Sequence, residues 1–258
     1  MKYFIVDAFT NALFKGNQAG VCLLEAPLTD DIMQKIAFEN NLSETAFLVK
    51  REKHYDLRWF TPTVEVDLCG HATLASAFVV FNCIEKNASV LQFETKSGTL
   101  IVKKSDDMYE MDFPSRKPKP VKLDEQMKKA IGTTPLEAHL SRDLILLLDN
   151  EQQVKNLQPN FELVKQMNYF AVVVTAKGDN VDFVSRFFTP RAGVVEDPVT
   201  GSAHCSLIPF WAERLGKDKM TARQLSVRGG TLYCQNKDAR VKIAGKAVMY
   251  LQGEINLP

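Results

Sequence analysis

Apolar and polar positions alternate with period two through much of this chain, and the alternation breaks into short runs separated by turn residues. Residues 3–8 and 21–24 read as strands around a loop that holds Gly16-Asn17-Gln18. A helical period follows over about 31–40, capped by Thr29 or Asp30, with Ile32, Ile36 and Ala37 on its buried face and Asn40-Asn41 at its end. Residues 45–50 and 57–61 are strands. Residues 72–82 form a helix apolar nearly all round, which marks it as buried. Strands follow near 90–94, 98–104 and 108–113, the first two joined by a turn at Lys96-Ser97-Gly98.

The run from Pro114 to Pro120 is stiff, basic and unfit for a ladder or a helix, and it divides the chain into lobes 1–114 and 115–258. Beyond it the pattern predicts a short helix near 124–131, strands near 137–140 and 144–148, and helices starting near Asn150 and Asn160. Strands at 170–175 and 181–188 lead to a second buried helix over 203–214 that ends at Gly216. Four β-like runs close the chain, at 224–227, 231–235, 239–244 and 248–255, and the last is free to return to the first lobe.

Two stretches repeat each other. Arg58-Trp59-Phe60-Thr61-Pro62 is followed after seven residues by Gly70-His71-Ala72, and Arg186-Phe187-Phe188-Thr189-Pro190 is followed after ten by Gly201-Ser202-Ala203. The same strand, polar loop and helix start is therefore built twice, about half a chain apart. The repeat suggests two related halves, with strands wrapped about one central helix as the simplest packing. The first N–H groups of a helix lack partners and attract anions, and glycine lets a ligand approach them closely. Two such starts facing one cleft would hold a carboxylate or phosphate. Taken singly, Gly-His-Ala and Gly-Ser-Ala also fit plain caps on core helices.

Glu44 enters an otherwise apolar strand, Asn41-Leu42-Ser43-Glu44-Thr45-Ala46-Phe47-Leu48. Burial there would favour its protonated form, which suits a base that must return its proton; an exposed strand end is the alternative. Asp197 and Ser202 flank the second helix start, as a second acid or base and a hydroxyl donor, or as turn and cap residues. His71 reads as a donor, a relay or a cap partner. Cys69 fits a thiolate base, yet the matching place in the second copy holds Pro198 and Val199, so a two-thiol machine is half missing and a packed residue is the other reading.

Composition narrows the class. The 258 residues carry a net charge of +1, which offers no field for nucleic acid or an anionic membrane and leaves a small molecule as the expected partner. The least charged stretch, residues 68–84, is too short and too polar for a secure span. No signal-peptide shape precedes the first strand, and a cytoplasmic location is expected. Five scattered cysteines read as reduced thiols, and they and four dispersed histidines show no metal spacing. No glycine-rich fingerprint for a dinucleotide or nucleoside triphosphate is present, so no cofactor is expected.

Asp7-Ala8-Phe9-Thr10 with Gly16-Asn17, Asn41-Leu42-Ser43-Glu44-Thr45, Phe60-Thr61-Pro62 with Cys69-Gly70-His71-Ala72-Thr73, and Glu196-Asp197-Pro198-Val199-Thr200-Gly201-Ser202-Ala203 together span nearly the whole chain. In these motifs it resembles the PhzF family, the phenazine biosynthesis-like proteins of the diaminopimelate epimerase superfamily. The resemblance implies an α+β fold of two pseudo-symmetric lobes, each a barrel-like, mostly antiparallel sheet wrapped on one central helix. It also implies a homodimer and a cofactor-independent isomerase or epimerase that moves a proton at carbon on a small amino- or hydroxy-carboxylic acid. It places the family's proton-shuttling glutamate on Glu44, its histidine on His71, its aspartate on Asp197 and its serine on Ser202. Asn17, Gly70, Ala72, Thr200 and Gly201 are expected to hold substrate. Gly16-Asn17-Gln18-Ala19-Gly20 and Cys69-Gly70-His71-Ala72-Thr73 depart from the phenazine enzyme's own pattern, which leaves the substrate open. A carboxylate-binding protein without chemistry and a thiol racemase using Cys69 are the alternative readings.

Overall fold

The computed structural model describes residues 1–257, and the backbone falls into two units, residues 1–112 together with the stretch from Ala244 on, and residues 113–243. The first contains β1 (Lys2–Ala8), β2 (Asn17–Leu24), α1 (Asp30–Asn40), β3 (Glu44–Lys50), β4 (Tyr55–Phe60), β5 (Glu65–Val66), α2 (Gly70–Val79), β6 (Val90–Thr95), β7 (Gly98–Ser105) and β8 (Met108–Pro114). The second contains β9 (Lys119–Val121), α3 (Glu125–Ile131), β10 (Glu137–Leu140), β11 (Leu144–Leu147), α4 (Glu151–Asn156), α5 (Phe161–Gln166), β12 (Val172–Lys177) and β13 (Phe183–Thr189). It continues through β14 (Val194–Asp197), α6 (Gly201–Leu215), β15 (Lys219–Gln224), β16 (Gly230–Lys237) and β17 (Arg240–Gly245). Strand β18 (Ala247–Glu254) pairs antiparallel with β1 in the first unit.

The two units repeat one pairing scheme, strand for strand. In the first, β1–β2 is antiparallel, β2–β3 parallel, β3–β4 antiparallel, β4–β6 parallel and β6–β7 antiparallel. In the second, β10–β11, β11–β12, β12–β13, β13–β15 and β15–β16 take the same senses in the same order. The fold is α+β, two similar lobes of mostly antiparallel strands, each built around one helix.

Burial follows from what covers each strand. Strands β6 and β8 alternate buried and partly exposed positions, so one face meets the core and the other meets water. Strand β3 is buried at five successive positions, because it packs against both α1 and α2. In α2 every residue from Gly70 to Val79 except Phe78 is buried, and each large apolar side chain enclosed there adds about 1.5–3 kcal/mol. A π-helical turn, Val80–Ile84, prolongs it.

The repeated arginine has a structural task in both copies. Arg58 grips Glu65 on β5 through Nε and Nη2 at 2.7 and 2.8 Å, and Arg186 grips Glu196 on β14 in the same way at 2.7 and 3.0 Å. Each guanidinium also lies over the phenylalanine two residues on, Phe60 or Phe188. These forks tie down the polar loops that lead into α2 and α6.

Several boundaries differ from expectation. Helix α1 buries Met33, Ile36 and Ala37 and exposes Ile32, because positions 33, 36 and 37 form one stripe and Ile32 falls off it. Pro120 lies in β9, opposite His139, where a three-residue strand can spare one donor. Gln224 ends β15 instead of beginning a strand, and both central helices start at their glycines, two residues early. The two-residue β5 and the four-residue β14, Val-Val-Glu-Asp, are too short to show apolar alternation, and neither was expected. Among the described residues no helix is long and apolar enough to cross a membrane.

Gly16 has φ +65°, and a Cβ there would stand 2.1 Å from the Ala8 carbonyl oxygen. Gly16→Ala is therefore expected to lower unfolding stability by about 2 kcal/mol or more in a urea titration, the left-handed backbone and the clash acting together. A loss under about 0.5 kcal/mol contradicts this packing of the loop before β2.

Candidate active site

Four of the six helices are capped by a side chain, and the two central ones are not. Thr29, Asp124, Asn150 and Asn160 each accept a hydrogen bond from the third residue beyond them. Cys69 before α2 and Thr200 before α6 make no such bond. Their first-turn amides therefore keep the anion-binding character of an unfilled helix start.

In the first unit the start of α2 brings Glu44, Cys69, His71 and Asn17 together. Parallel pairing sets Glu44 beside Ala19 at the entrance of β3, and His71 Nε2 lies 3.1 Å from Glu44 Oε2. Neither atom makes a hydrogen bond in this structure, and each is the other's nearest charge partner. The Glu44 side chain is 18% exposed and that of His71 6%. The carboxylate is thus reachable and the imidazole stands behind it. On the other edge of the ring, Nδ1 meets Asn17 Nδ2 at 3.2 Å and Cys69 Sγ at 3.5 Å. Asn17 and Cys69 thus hold the Nδ1 edge of the ring and leave Nε2 facing Glu44.

Electrostatics gives this group a definite charge preference. Burial opposes the imidazolium, but the Cys69 sulfur and the Glu44 carboxylate around the ring outweigh it and hold the His71 pKa well above the usual histidine range. Burial pushes the Cys69 thiol up, and the charge of Glu44 pushes it further. A reactive cysteine needs the opposite environment. Glu44, Cys69 and His71 place one donor atom each within 4.8 Å of one another, close enough for a metal ion. The ring turns Nδ1 to Cys69 and Nε2 to Glu44, however, so one ion takes all three only after the imidazole rotates.

In the second unit the loop before α6 is held by a residue that sequence reasoning missed. Gln224, almost fully buried, accepts from the Thr200 amide at 2.8 Å and donates to the Asp197 carbonyl at 2.7 Å and to Thr200 Oγ1 at 3.1 Å. Thr200 Oγ1 then donates to Asp197 Oδ2 at 2.5 Å. The Thr200 amide is thereby used inside the protein, Gly201 is buried, and Ser202 is the partly exposed residue of the helix start. Ser202 Oγ receives Arg142 Nη2 at 3.0 Å, a second contact absent from the sequence reading. His204, one turn on, donates from Nδ1 to the Thr200 carbonyl at 2.9 Å, and burial lowers its pKa to about 4.

Each expected site residue thus has a definite place. Glu44, His71 and Asn17 form one connected group, with Gly70 and Ala72 in the adjoining turn of α2. Asp197 and Thr200 form a second group, and Ser202 pairs with Arg142. Asn17, expected at the substrate, is fully buried and acts on His71.

Residues 6–253 match the PhzC-PhzF model, described as phenazine biosynthesis-like protein. The chain is 48% identical to an uncharacterized isomerase of Pseudomonas aeruginosa over 254 residues, 98% of each sequence. A crystal structure of a PhzF-family protein from Enterococcus faecalis superposes with a TM-score of 0.98 at 48% identity, covering 99% of both chains. A putative PhzC/PhzF protein from Clostridium difficile gives 0.96 at 51% identity, covering 100% of both.

The pKa values of His71 and His204 are displaced in opposite directions. Because the folded His71 holds its proton above the unfolded value of about 6.5, its contribution to stability is complete below that pH and lost as pH rises through the folded pKa. His204 contributes above about pH 6.5 and loses that contribution as pH falls toward about 4. Proton NMR of the imidazole resonances, assigned by His71→Asn and His204→Asn, is expected to show one midpoint well above 6.5 that falls in Glu44→Gln, and one near 4. A His71 midpoint at or below 6.5 contradicts the charge arrangement.

Proposed function

The chain belongs to the PhzC-PhzF family of phenazine biosynthesis-like proteins, and on that premise we propose that it is an isomerase moving a proton between carbons of a small amino- or hydroxy-carboxylic acid. Glu44 takes the proton from carbon and returns it, and no cofactor is invoked. The observation that carries this reading is the 3.1 Å contact between a partly open carboxylate and a buried imidazole with its own support. A base that must also act as acid needs a neighbour that steadies its charge before the transfer and tolerates its neutral form afterwards. His71 Nε2 does this by donating to Glu44 throughout the cycle.

The free amides at the start of α2 hold a substrate oxygen, and Gly70 allows it to come close. Asp197, kept in one orientation by Thr200 and Gln224, orients an amine or hydroxyl or serves as the second acid. Ser202 donates its hydroxyl to an anionic group. The raised thiol of Cys69 works against a racemase that depends on a thiolate.

Candidate acids are found by thermal stabilisation, since any ligand of the folded form raises apparent stability. Turnover of a hit in deuterium oxide is expected to place deuterium on carbon. Glu44→Gln is expected to lower that rate by about 100-fold or more, the range of general acid-base catalysis, while Cys69→Ala keeps it. Unchanged exchange in Glu44→Gln removes Glu44 from the chemistry, binding without exchange for every hit supports a carboxylate-binding protein, and loss of exchange in Cys69→Ala restores the thiol mechanism.

A further inference from the structure

Strand register shows what became of the Glu44 position in the second copy of the repeat. In the first unit Gly20 pairs with Thr45, which pairs with Phe60; in the second, Leu144 pairs with Val172, which pairs with Phe188. Matching the repeated phenylalanines aligns Glu44 with Ala171 and Ala19 with Asp143. In the second unit an alanine stands at the Glu44 position, and the neighbouring strand end carries a shorter acid, Asp143, only 1% exposed.

Asp143 is committed to a guanidinium. Its Oδ1 accepts from Arg142 Nε at 2.9 Å and its Oδ2 from Arg142 Nη2 at 2.8 Å. The same Nη2 reaches Ser202 Oγ at 3.0 Å, and the guanidinium lies 5.0 Å from the ring centre of Phe170. Ser141 Oγ meets Ser206 Oγ at 2.7 Å, so this short turn is tied to α6 at two places one turn apart. The outer edge of the guanidinium, at Nη1, has no protein partner among the described residues, and the side chain is 34% exposed. Ser202 accepts from Arg142 and so keeps its own proton to donate elsewhere.

We propose that Arg142 and Ser202 form a carboxylate-binding subsite at the start of α6, with Asp143 as its positioning residue. A guanidinium fixed in plane by a buried carboxylate loses little freedom when it binds, and its planar donors match a carboxylate in a way that an ammonium does not. Asp143 offsets the arginine's charge while unbound, so the subsite requires shape and hydrogen bonding as well as charge. The two copies thus place their acids differently, Glu44 beside His71 in the first and Asp143 on Arg142 in the second. The proposal rests on the reading of the substrate as a carboxylic acid and names the residues that recognise that group.

Benzoate and its neutral match benzamide are the probes, titrated against the whole chain by NMR. Wild type is expected to bind benzoate at least ten times more tightly than benzamide. Arg142→Gln is expected to weaken benzoate about tenfold or more, Arg142→Lys to restore only part of it, and Ser202→Ala to weaken it severalfold with the Arg142–Asp143 pair intact. Benzoate binding is read without turnover, so failure of the subsite and failure of the proton-transfer reading are told apart. Equal benzoate affinity in wild type and folded Arg142→Gln overturns the proposal, as does failure of wild type to prefer benzoate. If Arg142→Gln does not fold, unchanged affinity in Ser202→Ala overturns it instead.

Discussion

A single close contact, Glu44 Oε2 to His71 Nε2 at 3.1 Å, sets the demands that much of the first unit meets. Glu44 must stand at a strand entrance to be partly open, and parallel pairing of β3 with β2 puts it there. His71 must be the second residue of a helix with an unfilled start, which α2 provides because Cys69 does not cap it. The helix in turn must be rigid, and nearly complete burial makes it so. Removing the histidine would leave a half-buried carboxylate without its partner, the costlier half of breaking any enclosed pair.

Asn17 and Cys69 extend that contact to the far edge of the ring. Both face Nδ1 and leave Nε2 to Glu44, and burial raises the thiol's pKa beside the ring. The second unit shows the same economy with different residues. There Gln224 spends every polar atom on the loop that carries Asp197 and Thr200. Because each copy must present a helix start and hold the residues beside it in place, the repeat preserved the scaffold while the side chains on it diverged.

The α+β architecture was legible because its strongest signals are local. The repeated arginine, phenylalanine, threonine and proline mark the same strand twice, and the caps Thr29, Asn150 and Asn160 begin helices where their chemistry requires. Ile32 misled because apolar identity does not reveal which stripe of a short helix faces inward. Strands β5 and β14 were invisible because ion pairs with Arg58 and Arg186, not hydrophobic alternation, hold them. Glu44, His71, Asp197 and Ser202 could be picked out by motif, but the roles of Asn17, Gln224 and Arg142 could not. Their contacts join positions 54, 24 and 60 residues apart, and only strand register brings those positions together.

The central claim is that Glu44 and His71 act as one proton-carrying unit. Its most direct test is a double-mutant cycle of Glu44→Gln and His71→Asn, read as the rate of deuterium incorporation into substrate carbon. Residues that work as a unit are strongly non-additive, so the double variant is expected to be no slower than Glu44→Gln alone. Losses that multiply across the two substitutions would show independent contributions and contradict the account.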